Sequence, residues 1–441
     1  ITSDEEARAF LHLEKQPFHD PFLMKDMEKA VSRIEQALEA QERIVVYGDY
    51  DVDGITATSL LCRNLRQLGA AADYFIPHRQ KDGYGLHKET LDEIIAEGAG
   101  LIVTVDCGIS AVEEAAAAKD KVDLIITDHH LPGKELPKAF AVIDPHRADC
   151  SYPDKNIAGV GVAFKLCQAL WQKMRGKAFT GDLDIVTLGT VADVVPLLGE
   201  NRKIVQQGLR VLKKSKRPGI QALLAVTELQ EKEITAGHIG FVLAPRLNAA
   251  GRLASALRGV ELLLTEDGEE AQAIAEELDA ANRERQAVEQ EILQAAEKQI
   301  EEIDVQRAHV LVLHGEGWHP GVIGIVASRI VERYYRPTVI IAEEDGIGKG
   351  SCRSIRGFHM FEALSACGEH LLGFGGHAQA AGLSLRSENI ASFREAMEAY
   401  AAKMLTEEDF VPILDIELEL APEKITEQLM TEIKLLEPYG M

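Results

Sequence analysis

Five short apolar runs recur in the first third of the chain: Ile44–Tyr47, Asp73–Ile76, Leu101–Val105, Leu124–Thr127 and Ala141–Ile143. Helix-patterned stretches such as His87–Ala96 and Ala111–Ala118 lie between them. Strands that alternate with helices predict an α/β domain with a mostly parallel sheet and helices on both faces. In such sheets ligands collect at the carboxyl ends of the strands, where loops and helix N-termini converge. The residues just after each run therefore matter most.

After the first run comes GDYDVDG, Gly48–Gly54, followed by a helical pattern from about Ile55 to Leu65. Asp49, Asp51 and Asp53 stand at alternate positions, where their charges repel unless something positive lies between them. A hard divalent cation satisfies all three; a solvated acidic loop is the other reading these residues allow. The third run ends in Asp106, as a cation ligand or as a turn and cap residue, with Ser110 able to cap the next helix. The fourth ends in Asp128, His129 and His130, and imidazole beside carboxylates points to Mn²⁺, Zn²⁺ or Fe rather than an all-oxygen cage. Asp193 interrupts the apolar stretch Ile185–Leu198, so it must be paired, protonated, capping or on a cation.

Charge and cysteine usage narrow the class. A formal net charge of -24 over 441 residues argues against a nonspecific coat of nucleic acid and leaves room for a local basic groove. The 6 cysteines are dispersed without a CxxC pair, which predicts reduced thiols and no zinc site or disulfide framework. No apolar run reaches transmembrane length and no secretory signal opens the chain, so a soluble cytoplasmic protein is expected.

Beyond Pro153 the pattern is mostly helical, with a further helical stretch near Thr235–Val242. From Glu269 to Ile303 neither Pro nor Gly interrupts it, which predicts one helix of roughly 45 Å acting as a strut. A second α/β pattern follows: strands at VLVLHG, PTVIIAE and KGSCRS, helices at GVIGIVASRIVERY and FEALSAC, a Gly-rich loop at Gly373–Gly382, and a closing helix at Ile390–Leu405. VPILDIELEL reads as a strand and ITEQLMTEIKLL as a helix. The expected domains are 1–265, a connecting helix 266–305, a second α/β domain 306–408 facing the first across a cleft, and the start of a further domain at 409–441. The ends, Ile1 and Met441, point to a piece of a longer protein.

Taken together, DYDVDG, VTVDCG, TDHH and TVADVVPL resemble the four motifs of the DHH phosphoesterase superfamily, and their flanks resemble its RecJ family. RLNAAGR (Arg246–Arg252), GWHPGVIGIVASR (Gly317–Arg329), GSCRS with GFH, and GFGGHAQAAG (Gly373–Gly382) are similar to the distal segments of that family, the last to its DHHA1 domain. The resemblance implies a single-stranded-DNA-specific exonuclease that works processively from the 5′ end and releases 5′-mononucleotides, in DNA repair and recombination. It implies two divalent cations, Mn²⁺ preferred or Mg²⁺: Asp49, Asp51 and Asp106 on one, and Asp53, Asp106, His129 and Asp193 on the other, with Asp106 as the bridge. Asp128 would orient a histidine, and His130 would donate to the scissile phosphate. Phosphate and DNA contacts fall to Arg79, Asn248, Arg252, Ser351, Arg353 and His377; Tyr84, Phe358, Trp318 and His319 are candidates for stacking on bases. The 409–441 tail would open an oligonucleotide-binding (OB-fold-like) barrel. The partners implied are single-stranded DNA with a 5′ end, a single-stranded-DNA-binding protein and a RecQ-type helicase, with the chain itself a monomer and no membrane involved.

Two rivals share the fold: a phosphodiesterase acting on short oligoribonucleotides or cyclic dinucleotides, and a catalytically inactive replication scaffold. The strut, RLNAAGR and the extended N-terminal region favour the exonuclease over the first, and the intact acidic and histidine positions favour it over the second. A metal-free nucleotide-binding module is the third, which a metal titration without uptake would support.

Overall fold

The computed structural model describes residues 3–440 except 14, 15, 80, 81, 84 and 254. Two compact units emerge, Ile1–Asn282 with Pro422–Met441, and Arg283–Ala421. In the first, strands β1 (Arg43–Tyr47), β2 (Ala71–Phe75), β3 (Ala99–Val105), β4 (Asp123–Thr127) and β5 (Ala141–Ile143) form an all-parallel sheet in the order β2-β1-β3-β4-β5. Alternate residues of each strand enter opposite cores. Ile44, Val46, Val103 and Ile125 pack with the helices Met27–Glu39, Val52–Leu68, Gly159–Arg175 and Leu183–Ala192. Val45, Tyr47, Ile102 and Ile126 pack with Lys88–Ala96 and Val112–Ala118. Burial on both faces is why the inner strands β1, β3 and β4 read as continuous apolar runs, while the edge strand β2 is exposed at Ala71 and Asp73.

The strand order changes direction between β1 and β3, so the loops leaving these neighbours run to opposite sides and open a crevice at their carboxyl ends. The helix Val52–Leu68 starts in that crevice. The Asp51 side chain caps it by accepting from Gly54 N at 3.0 Å, and Gly69 ends it in the left-handed region at φ +103°. Leu60, Leu61 and Leu65 are fully buried along it, each contributing about 1.5–3 kcal/mol through apolar burial. The apolar stretch Ile185–Leu198 is helical only as far as Ala192; the chain then turns at Asp193 and starts a new helix at Gly199. Pro196, which cannot extend a helix interior, lies in that break.

In the second unit, β6 (Leu311–Glu316), β7 (Thr338–Glu344), β8 (Ile347–Arg353), β9 (Leu371–Gly376) and β10 (Ala380–Arg386) form a mixed sheet in the order β6-β7-β8-β10-β9. Only β6 and β7 pair in parallel. The Gly-rich segment read as a loop is therefore mostly strand. Glycine is a poor strand former by itself, but β10 lies between β8 and β9 and is paired along its length, which overrides propensity. VPILDIELEL, read as a strand, has no regular structure, and Val411, Ile413, Leu414, Ile416 and Leu418 are exposed. An alternating pattern makes a strand only where a neighbour supplies hydrogen bonds.

The long helix runs Gly268–Glu301 without interruption. Ala271, Ile274, Ala275 and Leu278 of its first half join the core of the first unit. In its second half Gln299 Nε2 donates to His314 O at the end of β6. Phe358 is buried in the second core against Tyr400, which removes it as a stacking platform. All six cysteines are buried and unpaired. Among the described residues no helix is long and apolar enough to cross a membrane.

Candidate metal centre

Four chain segments deliver the acidic and histidine side chains to the crevice. Asp49 and Asp51 follow β1, and Asp53 lies in the first turn of the helix Val52–Leu68. Asp106 is the first residue after β3, at φ +60°, a left-handed conformation that aspartate tolerates better than most residues. His129 and His130 follow β4. Asp193 is the C-cap of Leu183–Ala192.

Three groups of ligand atoms, each within 4.8 Å, result: Asp49, Asp51 and Asp106; Asp53, His129 and Asp193; and Asp106, His129 and His130, which joins the other two. They meet where His129 Nε2 lies 3.1 Å from Asp106 Oδ1, 3.6 Å from Asp193 Oδ2 and 3.8 Å from Asp53 Oδ2. Asp49 Oδ1, His129 Nε2 and Asp193 Oδ2 are buried with no hydrogen-bond partner among the described residues. Buried polar atoms left this way are costly. Carboxylate oxygens and an imidazole nitrogen, converging and otherwise unsatisfied, fit divalent cations of the Mn²⁺ or Mg²⁺ type.

The helix Gly159–Arg175 supplies support that the sequence reading missed. Its first amides, Gly159 N and Val160 N, donate to Asp53 Oδ2 and Oδ1 at 2.7 and 2.8 Å. The positive end of a helix therefore faces the acidic cluster. Any side chain at 159 would place a Cβ 2.5 Å from Asp106 Oδ1, so only glycine allows that approach. The local signal was AGVGVA at the start of a helical pattern, which marks a close approach but not its partner.

Burial and mutual repulsion dominate the electrostatics. Burial, reinforced by the Asp51 charge, raises the pKa of Asp53 to about 7 and of Asp49 to about 8. Burial and the charge of Asp53 raise Asp193 to about 9, and the same causes hold Asp106 well above the ordinary range. Burial and the charge of His130 lower His129 to about 4, leaving a neutral imidazole suited to a cation. His130 goes the other way: burial pushes it down, but the hydrogen bond and charge of Asp128 outweigh that and lift it to about 9.

Asp128 itself is fully buried and its pKa is lowered, because His130 outweighs the opposing effect of burial. Its Oδ1 lies 2.7 Å from His130 Nδ1 and accepts from His129 N and His130 N; its Oδ2 accepts from Ile109 N. Asp144, at the end of β5, was not singled out from sequence. It is buried, accepts from His146 N at 2.6 Å, and burial raises its pKa to about 7.

Of the expected phosphate donors, Arg79 stacks its guanidinium 4.7 Å from the centre of the Tyr50 ring. Asn248 and Arg252 are half-buried on the helix Ala244–Leu253. A Cβ on Gly251 of that helix would lie 2.8 Å from Tyr50 O, so the helix rests on the acidic loop. Burial and the Asp49 charge raise Tyr50 to about 12, while Arg79 and Arg252 oppose them, which places both arginines in the field of that loop. Ser351, Arg353 and His377 belong to the second unit. Arg353 donates to Ser351 Oγ at 3.3 Å and to Ser328 Oγ at 3.2 Å, and His377 is exposed between β9 and β10. Trp318 and His319 are half-buried, and Tyr84 lies outside the described residues.

Comparison with known proteins gives two matching family models: the N-terminal domain of the DHH family over residues 43–190 and the DHHA1 domain over 306–403. The single-stranded-DNA-specific exonuclease RecJ of Bacillus subtilis is 44% identical over 440 residues, covering 99% of this chain and 55% of the relative. The chain thus spans about half the length of that protein. RecJ of Dickeya dadantii is 42% identical, with 95% of this chain and 76% of the relative covered. The crystal structure of RecJ in complex with Mn²⁺ from Thermus thermophilus superposes with a TM-score of 0.83 at 37% identity, over 95% of this chain and 60% of that one.

Proposed function

Since the chain belongs to the RecJ family of the DHH and DHHA1 proteins, we propose that it hydrolyses phosphodiester bonds of single-stranded DNA, processively from the 5′ end, releasing 5′-mononucleotides. The observation that carries this reading is the convergence of three overlapping ligand groups on Asp106 and His129, 3.1 Å apart. Asp49, Asp51 and Asp106 would hold one divalent cation, and Asp53, Asp106, His129 and Asp193 would hold a second, with Mn²⁺ preferred to Mg²⁺. Such cations neutralise phosphoryl oxygens and lower the pKa of water at the centre.

The chain's own groups do the rest. His130, cationic at neutral pH and 44% exposed at its side chain, donates a hydrogen bond to a nonbridging oxygen of the scissile phosphate. Asp128 fixes the ring and its charge. Arg79, Asn248 and Arg252 hold the strand beside the acidic loop, and Ser351, Arg353 and His377 supply donors for the 5′-phosphate and sugar-phosphate chain. The cellular setting proposed is cytoplasmic DNA repair and recombination, alongside a single-stranded-DNA-binding protein and a helicase.

The test compares turnover in Mn²⁺ on a 5′-phosphorylated 20-mer and on a dinucleotide, with products resolved over time. Mononucleotides released progressively from the 5′ end of the 20-mer are expected. Strong preference for the dinucleotide would overturn the proposal, and so would native-like turnover by Asp106→Ala in saturating Mn²⁺.

A further inference from the structure

Val194 follows Asp193 directly, and its φ of +62° is in the left-handed region. With Asp193 capping the helix Leu183–Ala192, Val194 occupies the position where helices commonly place a glycine. A β-branched side chain crowds the backbone in that conformation, so valine is an expensive choice there. Packing does not account for it: Val194 is 55% exposed, while the next residue, Val195, packs against the core. Strain kept at a site without a packing return points to contact with something outside the fold.

Other apolar side chains near the centre are exposed as well. Leu131, directly after His130, is 76% exposed, and Leu198 is 58% exposed. Leu131 lies two residues after His129 and Val194 directly after Asp193, and the side chains of His129 and Asp193 converge on the centre, with Nε2 3.6 Å from Oδ2. Two large apolar side chains thus extend into solvent from the residues next to His130 and Asp193.

We infer that Val194, together with Leu131 next after His130, forms an apolar seat for the nucleobase adjoining the scissile phosphate. An aliphatic side chain packs on the flat face of any base, so the seat orients a nucleotide without reading its identity, as a sequence-tolerant enzyme requires. The inference rests on the proposed action on single-stranded DNA.

Three proteins are compared in saturating Mn²⁺: the wild type, Val194→Gly, which relaxes the backbone and removes the contact, and Val194→Ile, which keeps a branched apolar group. KM and kcat are measured on a 5′-phosphorylated 20-mer and on the same oligomer with abasic residues at its first two positions. Val194→Gly is expected to raise KM roughly tenfold on the intact oligomer, the loss of one side chain's apolar contact, with kcat and Mn²⁺ affinity held. Val194→Ile keeps the wild-type KM, and the Gly penalty vanishes on the abasic oligomer. Equal KM for wild type and Val194→Gly would overturn the inference, as would an equal penalty on both oligomers. Loss of Mn²⁺ binding in Val194→Gly would also overturn it, by making Val194 a device for placing Asp193. Failure of the wild type itself to degrade the intact oligomer would instead sink the nuclease reading.

Discussion

Binding of divalent cations to this centre should be strongly pH-dependent, and the proton count follows from the burial of its carboxylates. In the unfolded chain an aspartate titrates near 3.8; in the folded, empty centre Asp53 titrates at about 7, Asp49 at about 8 and Asp193 at about 9. Between those limits the folded protein binds protons that the unfolded chain has released. The stability of the empty protein therefore falls as pH rises from about 4 through about 9. Cations cancel the trend by replacing the protons, because the loaded centre and the unfolded chain then carry equal numbers of them. His129, lowered to about 4, is already neutral above pH 6 and releases none. With nearly three protons displaced at pH 6 and about two and a half at pH 7, the apparent Kd tightens by roughly five-hundredfold over that unit, each proton contributing about 1.4 kcal/mol per unit. The dependence should flatten as pH approaches about 9. Calorimetric titration with Mn²⁺ in buffers of different ionisation enthalpy counts the released protons directly. The rise in melting temperature on adding saturating Mn²⁺ should be several degrees larger at pH 7 than at pH 6, at roughly 2 °C per kcal/mol, because the metal-free protein loses stability over that step and the loaded protein does not. A Kd independent of pH, with heats that do not depend on the buffer, would refute the reasoning.

Two further perturbations isolate supporting groups. Asp128→Asn removes the charge that keeps His130 at about 9. The His130 interaction, present in full below about 6.5 and lost as pH rises through about 9, should then be lost at lower pH. The alkaline limb of the kcat/KM profile should shift down by one to two units, and an unchanged limb would show that His130 does not act as a cation. Lys165 is fully buried, with its Nζ 3.1 Å from Glu200 Oε1 and donating to His19 O at 2.8 Å. Lys165→Met leaves Glu200 buried without its counter-charge and should cost about 3–5 kcal/mol in urea unfolding, whereas a loss under 1 kcal/mol would mean that the Tyr152 hydroxyl and His19 N, which also donate to Glu200, suffice.

What the sequence disclosed is what local periodicity encodes. The inner strands β1, β3 and β4 are buried on both faces and so appear as apolar runs, and the acidic residues that follow them fall at one end of the sheet. The Gly-rich segment of the second unit escaped because β10 is held by β8 on one side and β9 on the other; partners distant in sequence made strands of residues with little strand propensity. The reverse error at VPILDIELEL has the same origin, since alternation specifies a face but supplies no neighbour.

The acidic cluster shows the limit most clearly. Five aspartates and a histidine announce a need for positive charge, and the sequence shows the need without showing how much of it the protein meets unaided. Gly159 N and Val160 N, more than a hundred positions from Asp53, donate to both of its oxygens. They give each Asp53 oxygen a donor, while Asp49 Oδ1 and Asp193 Oδ2 receive none among the described residues. The helix N-terminus thus offsets part of the repulsion and fixes the geometry of one carboxylate. The unsatisfied remainder is the part that selects for cations. Substituting Gly159 would disturb Asp53 and Asp106 together, because the amide that holds one approaches through the space beside the other.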